Sequence, residues 1–161
     1  MKKIEKILKY FPETSLPVVV SEDYLHVYEE ENVPLPLAFI QEIMVEWEKE
    51  IDEFTEFVAC FSLPKEEKFH TVVYWRGSLL RYDFIMVTLD LNGNMISKKS
   101  IANTIYERKV IKKSVASIEP DLIIHIMAGQ AQEWDDYDAS TSRDFTMEIL
   151  PSGEIIFSMD E

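Results

Sequence analysis

The chain has 161 residues, of which 47% are hydrophobic and 29% are charged, and its formal net charge is −14. This length suits a single domain spanning residues 1–161, and the composition excludes the disordered class. The negative charge argues against nucleic acid and anionic membranes as partners and would attract a basic protein. The alternative, which we favour for the charge taken by itself, is that the acidic residues only keep the protein in solution. We expect a cytoplasmic protein, because no apolar run approaches the roughly 20 residues of a membrane helix and charges interrupt the N-terminal segment where a signal peptide would lie.

Two helices and a short strand are predicted in the first third of the chain. Apolar residues at helical spacing, Ile4, Ile7, Leu8 and Phe11, predict a helix over residues 2–11. A β-branched run behind Pro17 predicts an edge strand over residues 16–20. A second helix is predicted over residues 36–53, with an apolar stripe of Leu37, Ile40, Met44, Trp47 and Ile51. We expect Ile40, Met44 and Trp47 to pack this helix against a sheet.

Acidic residues crowd the C-terminal end of the second predicted helix. Glu50, Asp52, Glu53 and Glu56 would oppose the helix dipole there. Basic side chains of the same chain are one explanation, and the candidates are Lys98, Lys99, Arg108, Lys109, Lys112 and Lys113. A basic partner molecule is the other. We favour the intrachain explanation.

From residue 54 onward the apolar period changes from 3.6 to two, which predicts strands. The predicted strands cover residues 57–61, 69–76, 79–90, 95–102, 109–118, 122–128, 144–150 and 154–159. Asn92 and Gly93 favour a tight hairpin. Helices do not alternate with these strands, so a parallel sheet is not expected. The predicted fold is α+β, with N-terminal helices followed by an antiparallel β-meander of about six to eight strands and one amphipathic helix packed on the sheet.

An acidic segment between two predicted strands is the main candidate for function. It consists of Glu133, Trp134, Asp135, Asp136, Tyr137 and Asp138. Its four acids predict an exposed loop, since burial would leave charges unpaired. Aromatic residues among acids suit recognition of a basic protein, so we expect these six residues to bind a partner. A solvated connection, a Ca²⁺ site and a hydrolytic carboxylate site are the alternatives, and we assign neither a metal ligand nor a catalytic residue.

Other reactive residue types lack the spacing that metal binding or catalysis needs. His26, His70 and His125 are far apart, with no second His or Cys at short spacing. Cys60 lies in an apolar strand, where burial keeps a thiol inert. The sequence contains no phosphate loop, dinucleotide fingerprint or serine elbow. We therefore expect no cofactor and no enzymatic activity.

Arginine and aromatic residues flank the predicted turn at Gly77 and Ser78. The two stretches are Tyr74-Trp75-Arg76 and Arg81-Tyr82. Arginine beside stacking aromatics suits a sugar, a base or a peptide. Strand alternation places Tyr74 and Arg76 on one face and Trp75 on the other, so we expect half of this set to lie in the core.

Residues 32–40, with the sequence Asn-Val-Pro-Leu-Pro-Leu-Ala-Phe-Ile, resemble the Leu-Pro segment that begins a helix in the SUKH superfamily of toxin-immunity proteins. The likeness covers about ten residues, and residues 50–56 lack the glycine of the loop that ordinarily follows that helix. No membership is assigned and no functional residue is transferred.

Three functions compete on these grounds. The first is a non-enzymatic acidic interaction protein that binds, and in the manner of an immunity protein neutralises, a basic protein partner. The second is a small-ligand-binding module with an apolar pocket between the sheet and the helix. The third is a hydrolase that combines the carboxylates of residues 133–138 with His70 or His125. The charge of −14 and its concentration in residues 21–70 and 133–161 favour the first.

Overall fold

The computed structural model describes residues 1–132 and 137–158, and only the backbone at residues 132 and 137–141. Within this part the helices are α1 (Lys3–Leu8), α2 (Leu25–Glu31), which follows a 3₁₀ turn at Glu22–Tyr24, and α3 (residues 37–47). The strands are β1 (Val18–Val20), β2 (Glu56–Ser62), β3 (Phe69–Ser78), β4 (Arg81–Asp90), β5 (Met95–Glu107), β6 (Val110–Ile118), β7 (Ile123–Gln132), β8 (Tyr137–Ile149) and β9 (Ile155–Phe157). No helix among the described residues is long and apolar enough to cross a membrane.

Consecutive antiparallel pairing from β2 to β9 forms the predicted meander. The predicted turn at Asn92 and Gly93 joins β4 to β5, and Gly93 has the positive φ, 98°, that such a turn favours. Strand β1 is the exception to the sequential order, because it pairs with β6. The α+β antiparallel class is confirmed.

The sheet bends between β5 and β6. Strand β5 pairs with β4 along nearly all of its length, but only its residues 104–107 pair with residues 110–113 of β6. Beyond this point β1 takes the place of β5 and pairs with residues 116–118 of β6. The sheet is therefore divided into one layer of β2–β5 and a second layer of β1 and β6–β9.

An inner core fills the space between the two layers. The first layer contributes Phe61, Val73, Phe84 and Ile101, and the second contributes Ile118, Ile124, Ile126 and Ile149. The β8–β9 turn closes one end of this core, since Thr88 Oγ1 donates a hydrogen bond of 2.6 Å to the carbonyl of Gly153. Strands β3 and β4 carry apolar residues on both faces, because the helices cover the face that does not point into the inner core.

An outer core lies between β2–β4 and the helices. Its helix-side residues are Ile4, Ile7, Phe11, Phe39, Ile43, Met44 and Trp47, and its sheet-side residues are Ala59, Val72, Tyr74, Ile85, Val87 and Leu89. Helix α3 thus packs on the sheet through Met44 and Trp47, with Ile40 partly buried beside them, as the sequence predicts.

Helix α3 differs from its prediction in length and in its buried face. It ends at Trp47 rather than at residue 53, because Glu48 adopts an extended conformation, φ −120° and ψ 125°. A π-helical turn at Ile40–Met44 joins the α-helical segments Leu37–Phe39 and Val45–Trp47. The wider turn rotates the apolar stripe, so that Phe39 and Ile43 are buried while Leu37 is exposed.

Candidate functional site

The site begins where α3 ends above the first layer of the sheet. The buried carboxylate of Glu48 accepts two short hydrogen bonds from β3, one of 2.7 Å from the Tyr74 hydroxyl and one of 2.7 Å from Arg76 Nη1. Strand alternation puts both donors on the helix-covered face, while Trp75 lies in the inner core, as predicted. Two side chains of one strand therefore hold the chain immediately after the helix.

A second buried carboxylate, Asp83 of β4, extends these contacts across the sheet. Asp83 lies directly opposite Arg76 in the strand register and accepts a hydrogen bond of 3.0 Å from Arg76 Nη2. Arg81 donates to both oxygens of Asp83, at 2.9 Å and 3.2 Å, and Ser100 Oγ donates at 2.8 Å. A buried carboxylate without a partner would destabilise the fold by about 3–5 kcal/mol, so the pairing with arginine is what allows Glu48 and Asp83 to be buried.

Lys98 of β5 completes the cluster. Its Nζ donates a hydrogen bond of 2.6 Å to the carbonyl of Trp47, the last helical residue, and lies 3.5 Å from Glu48. A cation at this position also suits the negative end of the helix dipole. We call the seven residues the charge network: Glu48, Tyr74, Arg76, Arg81, Asp83, Lys98 and Ser100.

Hydrogen bonds and burial shift the pKa values of Asp83 and Tyr74 in the charge network. Burial alone would raise the pKa of Asp83, but hydrogen bonds from Arg81, Ser100 and Arg76 outweigh it and hold that pKa below the ordinary value of an aspartate. Burial, followed by the nearby charge of Glu48, raises the pKa of the Tyr74 hydroxyl, which therefore remains a proton donor. Both carboxylates accept hydrogen bonds from arginine, so the geometry suits binding better than proton abstraction.

A groove of about 750 Å³ opens beside the charge network, between the segment that follows α3 and the face of β3–β5. Glu50 and Asp52 line one side, and Arg76, Arg81 and Lys98 line the other. Charged and apolar side chains both line the groove, so it differs from the apolar pocket that the ligand-binding alternative predicts between the sheet and the helix. A more apolar pocket of about 460 Å³ lies on β6–β8, around Val115, His125 and Met127.

The end of the segment between α3 and β2, together with the first residue of β2, forms an acidic turn, residues 50–56. Asp52 Oδ1 accepts hydrogen bonds from the Phe54 backbone N–H at 2.8 Å and from Thr55 Oγ1 at 3.0 Å, which fixes the turn. Phe54 at its tip is 53% exposed. In the β3–β4 turn alongside, Leu79 and Leu80 are 68% and 65% exposed.

The intrachain explanation for the acids of this turn is wrong. Glu50, Asp52, Glu53 and Glu56 are exposed, and none of the salt bridges among the described residues includes them. Of the predicted basic partners, Lys98 pairs with Glu48, Lys112 with Glu107 and Lys113 with Asp23. The acids also lie beyond the helix, so the dipole argument does not apply to them.

The predicted partner-binding segment lies largely outside the described residues. This applies to Glu133, Trp134, Asp135 and Asp136. The backbone of Tyr137 and Asp138 belongs to the start of β8, where these residues pair with Ala131 and Gln130 of β7. Their prediction as loop residues is wrong for the backbone, since β7 and β8 extend further than the apolar alternation indicates. Partner binding by the six residues stays a prediction.

The remaining sequence candidates are not brought together. Alternation places His70 on the helix-covered side of the first layer, whereas His125 lines the pocket on the outer face of the second. Cys60 is buried in the inner core, and this burial raises the pKa of its thiol. Among the described residues, no group of three or more His, Cys, Asp or Glu side chains is placed to hold a metal ion.

Sequence reasoning found part of the site. The aromatic and arginine pattern singled out Tyr74, Arg76 and Arg81. It missed Glu48, Asp83 and Ser100, and it named Lys98 only as a candidate partner for the acids of residues 50–56. Each of these four has an ordinary polar neighbourhood in the sequence, and they meet only in the folded chain. The single signal was Asp83 at alternate spacing from Arg81 in a predicted strand.

Comparisons with known proteins add no family to this description. No family model, no curated protein and no solved structure matches the chain.

Proposed function

We propose that the protein is a non-enzymatic interaction protein that binds a basic protein partner. The observation that supports this is the surface formed by the acidic turn and the β3–β4 turn. Its exposed Phe54, Leu79 and Leu80 stand beside Glu50, Asp52, Glu53 and Glu56, whose charges have no basic partner among the described residues. Apolar anchors surrounded by one sign of charge suit a basic protein surface.

The two turns are neighbours because of the strand register. Glu56, the first residue of β2, pairs with Gly77 of β3, so the chain before β2 lies next to the chain after β3. Asp52 and Leu79 accordingly line the same groove. We call residues 50–56 together with Leu79 and Leu80 the partner surface.

The charge network supports this role by holding the partner surface in place. Glu48 is two residues before the acidic turn and is bound to Tyr74 and Arg76, while Arg81 directly follows Leu80 and is bound to Asp83. Fixing both ends of the surface lowers the ordering cost of binding. A second proposed contact region also combines aromatic and acidic residues. It consists of Glu133, Trp134, Asp135, Asp136, Tyr137 and Asp138.

The test uses the partner that the protein captures from its native source at low salt. We expect a protein with a pI above about 9. Phe54→Ala should weaken the purified complex about tenfold or more, chiefly through faster dissociation, because a central aromatic anchor is lost. The association rate should fall as salt rises.

Phe157→Ala is the matched control. Phe157 is 56% exposed, close to the value for Phe54, and it lies on β9 at the opposite end of the strand order. This variant should bind as the wild type does. An acidic or neutral partner, or equal affinities for Phe54→Ala and the wild type, would show that the partner surface is not the binding site.

A further inference from the structure

The groove beside the charge network has two walls of opposite charge. One wall is the segment after α3, where the two acids Glu50 and Asp52 outnumber the single lysine, Lys49. The other is the strand face, with Arg76, Arg81 and Lys98. A ligand with a single sign of charge would meet repulsion from one wall, whereas a ligand with both signs at its two ends would be attracted by each.

The cationic wall has hydrogen-bond donors left over. Arg76 uses Nη1 and Nη2 for Glu48 and Asp83, and its Nε has no acceptor among the described residues. Arg81 uses Nε and Nη2 for Asp83, and its Nη1 likewise has none. The bonds to Asp83 hold both guanidinium groups in place, so an incoming carboxylate would meet cations that need little further ordering.

The acidic wall is free to bind a cation. Glu50 and Asp52 are exposed and form no salt bridge among the described residues. The backbone N–H of Phe54 and the Thr55 hydroxyl hold Oδ1 of Asp52 in place. An ammonium group close to these two carboxylates would gain charge-assisted hydrogen bonds.

The size of the groove indicates a ligand larger than a simple ion. Its volume of about 750 Å³ lies within the range of roughly 300–1,000 Å³ typical of small-molecule sites. Exposed apolar side chains, Leu79 and Met95, line it as well. Phosphate-rich ligands such as nucleotides are disfavoured, because Glu50 and Asp52 would repel their concentrated negative charge.

We propose that the groove binds short zwitterionic peptides, with the C-terminal carboxylate on Arg76 and Arg81 and an amino group on Glu50 and Asp52. The arrangement of charges selects for a free carboxyl terminus. This site does not depend on the proposed protein partner, although Glu50, Asp52, Thr55 and Leu79 belong to both surfaces.

The experiment compares two forms of one peptide by isothermal titration calorimetry at low salt. The probes are the tripeptide Lys-Ala-Leu with a free carboxyl group and the same tripeptide as its C-terminal amide. We expect the free acid to bind with a dissociation constant below about 1 mM and the amide to bind about tenfold more weakly. Equal affinity for both forms, or no binding at several times that concentration, would overturn the proposal.

Two variants locate the ligand. Arg81→Gln should weaken binding of the free acid about tenfold but leave binding of the amide nearly unchanged, because only the acid offers a carboxylate. Glu50→Gln should weaken both forms alike. Arg143→Gln is the matched control, since Arg143 is exposed on β8 and does not line the groove.

Folding is checked by thermal melting of each variant. For one folded variant, the ratio of the dissociation constants of the free acid and the amide does not depend on the stability of the protein. A destabilised Arg81→Gln protein therefore still tests the proposal below its melting temperature. An unchanged ratio in that variant would rule out Arg81 as the carboxylate site. Failure of this test leaves the Phe54 test of the partner surface unaffected, and the reverse also holds.

Discussion

Glu48 shows how one side chain sets the end of a helix. The apolar stripe predicts a helix that continues to residue 53, and the residues beyond Trp47 are acceptable helix formers. The structure ends the helix at Trp47 because the carboxylate of Glu48 binds Tyr74 and Arg76 instead of facing solvent. Sequence patterns show which residues favour a helix locally. They do not show these contacts, because Tyr74 lies 26 positions and Arg76 lies 28 positions after Glu48.

The first prediction concerns Asp83, which is fully buried. Asp83→Asn keeps the shape of the side chain but removes the charge that Arg76 and Arg81 share. We expect the free energy of unfolding to fall by about 2 kcal/mol, less than for a completely buried pair because both arginines retain solvent contact. Urea denaturation at neutral pH measures this. Asp144→Asn, at an exposed position outside the network, should stay within about 0.5 kcal/mol of wild type.

The pH dependence of stability follows from the same residue. The pKa of Asp83 is lower in the folded protein than its ordinary value, so the ionised form stabilises the fold. That contribution is fully present above the unfolded value of about 4 and is lost as the pH falls through the folded value. In the Asp83→Asn variant, the free energy of unfolding should therefore fall less steeply than in the wild type as the pH drops below about 4. An equally steep loss in both proteins would contradict the assignment.

At the scale of elements, strands were easier to predict than helices. The two-residue alternation located every described strand after residue 55, although β5, β7 and β8 extend further than predicted. Helix α2 was missed because it has only seven residues and buries none of them fully, so its sequence shows no apolar stripe. The π-helical turn of α3 has no signature in the sequence pattern, yet it decides which residues face the sheet.

The second prediction tests the packing of α3. Met44 is completely buried in the outer core, whereas the next residue, Val45, is 53% exposed. Met44→Asp should unfold the domain or destabilise it by several kcal/mol, roughly 3 or more, because the charge finds no partner there. Val45→Asp, on the same helix, should remain folded. Thermal melting of the two variants decides the matter, and similar melting temperatures would mean that α3 does not pack as described.

At the scale of the whole molecule, the meander was predictable and its bend was not. Neighbouring strands joined by short turns pair with each other almost by default. The divergence of β5 from β6 depends instead on β1, which pairs with β6 across about a hundred residues of sequence. Because the groove lies between one layer of this bent sheet and the segment after α3, sequence patterns could not reveal it. Its charged walls come from four separate elements.

The last prediction concerns the net charge of −14. The acids of the partner surface repel one another, and the exposed ion pairs Lys3–Glu46, Lys112–Glu107 and Lys113–Asp23 contribute little in return. Raising NaCl from 10 to 150 mM shortens the screening length from about 30 to about 8 Å, which weakens this repulsion more than it weakens the buried charge network. We therefore expect the melting temperature at pH 7.5 to rise by about 2–4 °C, which corresponds to roughly 1 kcal/mol for a domain of this size.

Replacing Glu50, Glu53 and Glu56 together with Gln should raise the melting temperature at 10 mM NaCl and reduce its dependence on salt. A melting temperature that falls with added salt would show that surface attraction, rather than repulsion, dominates.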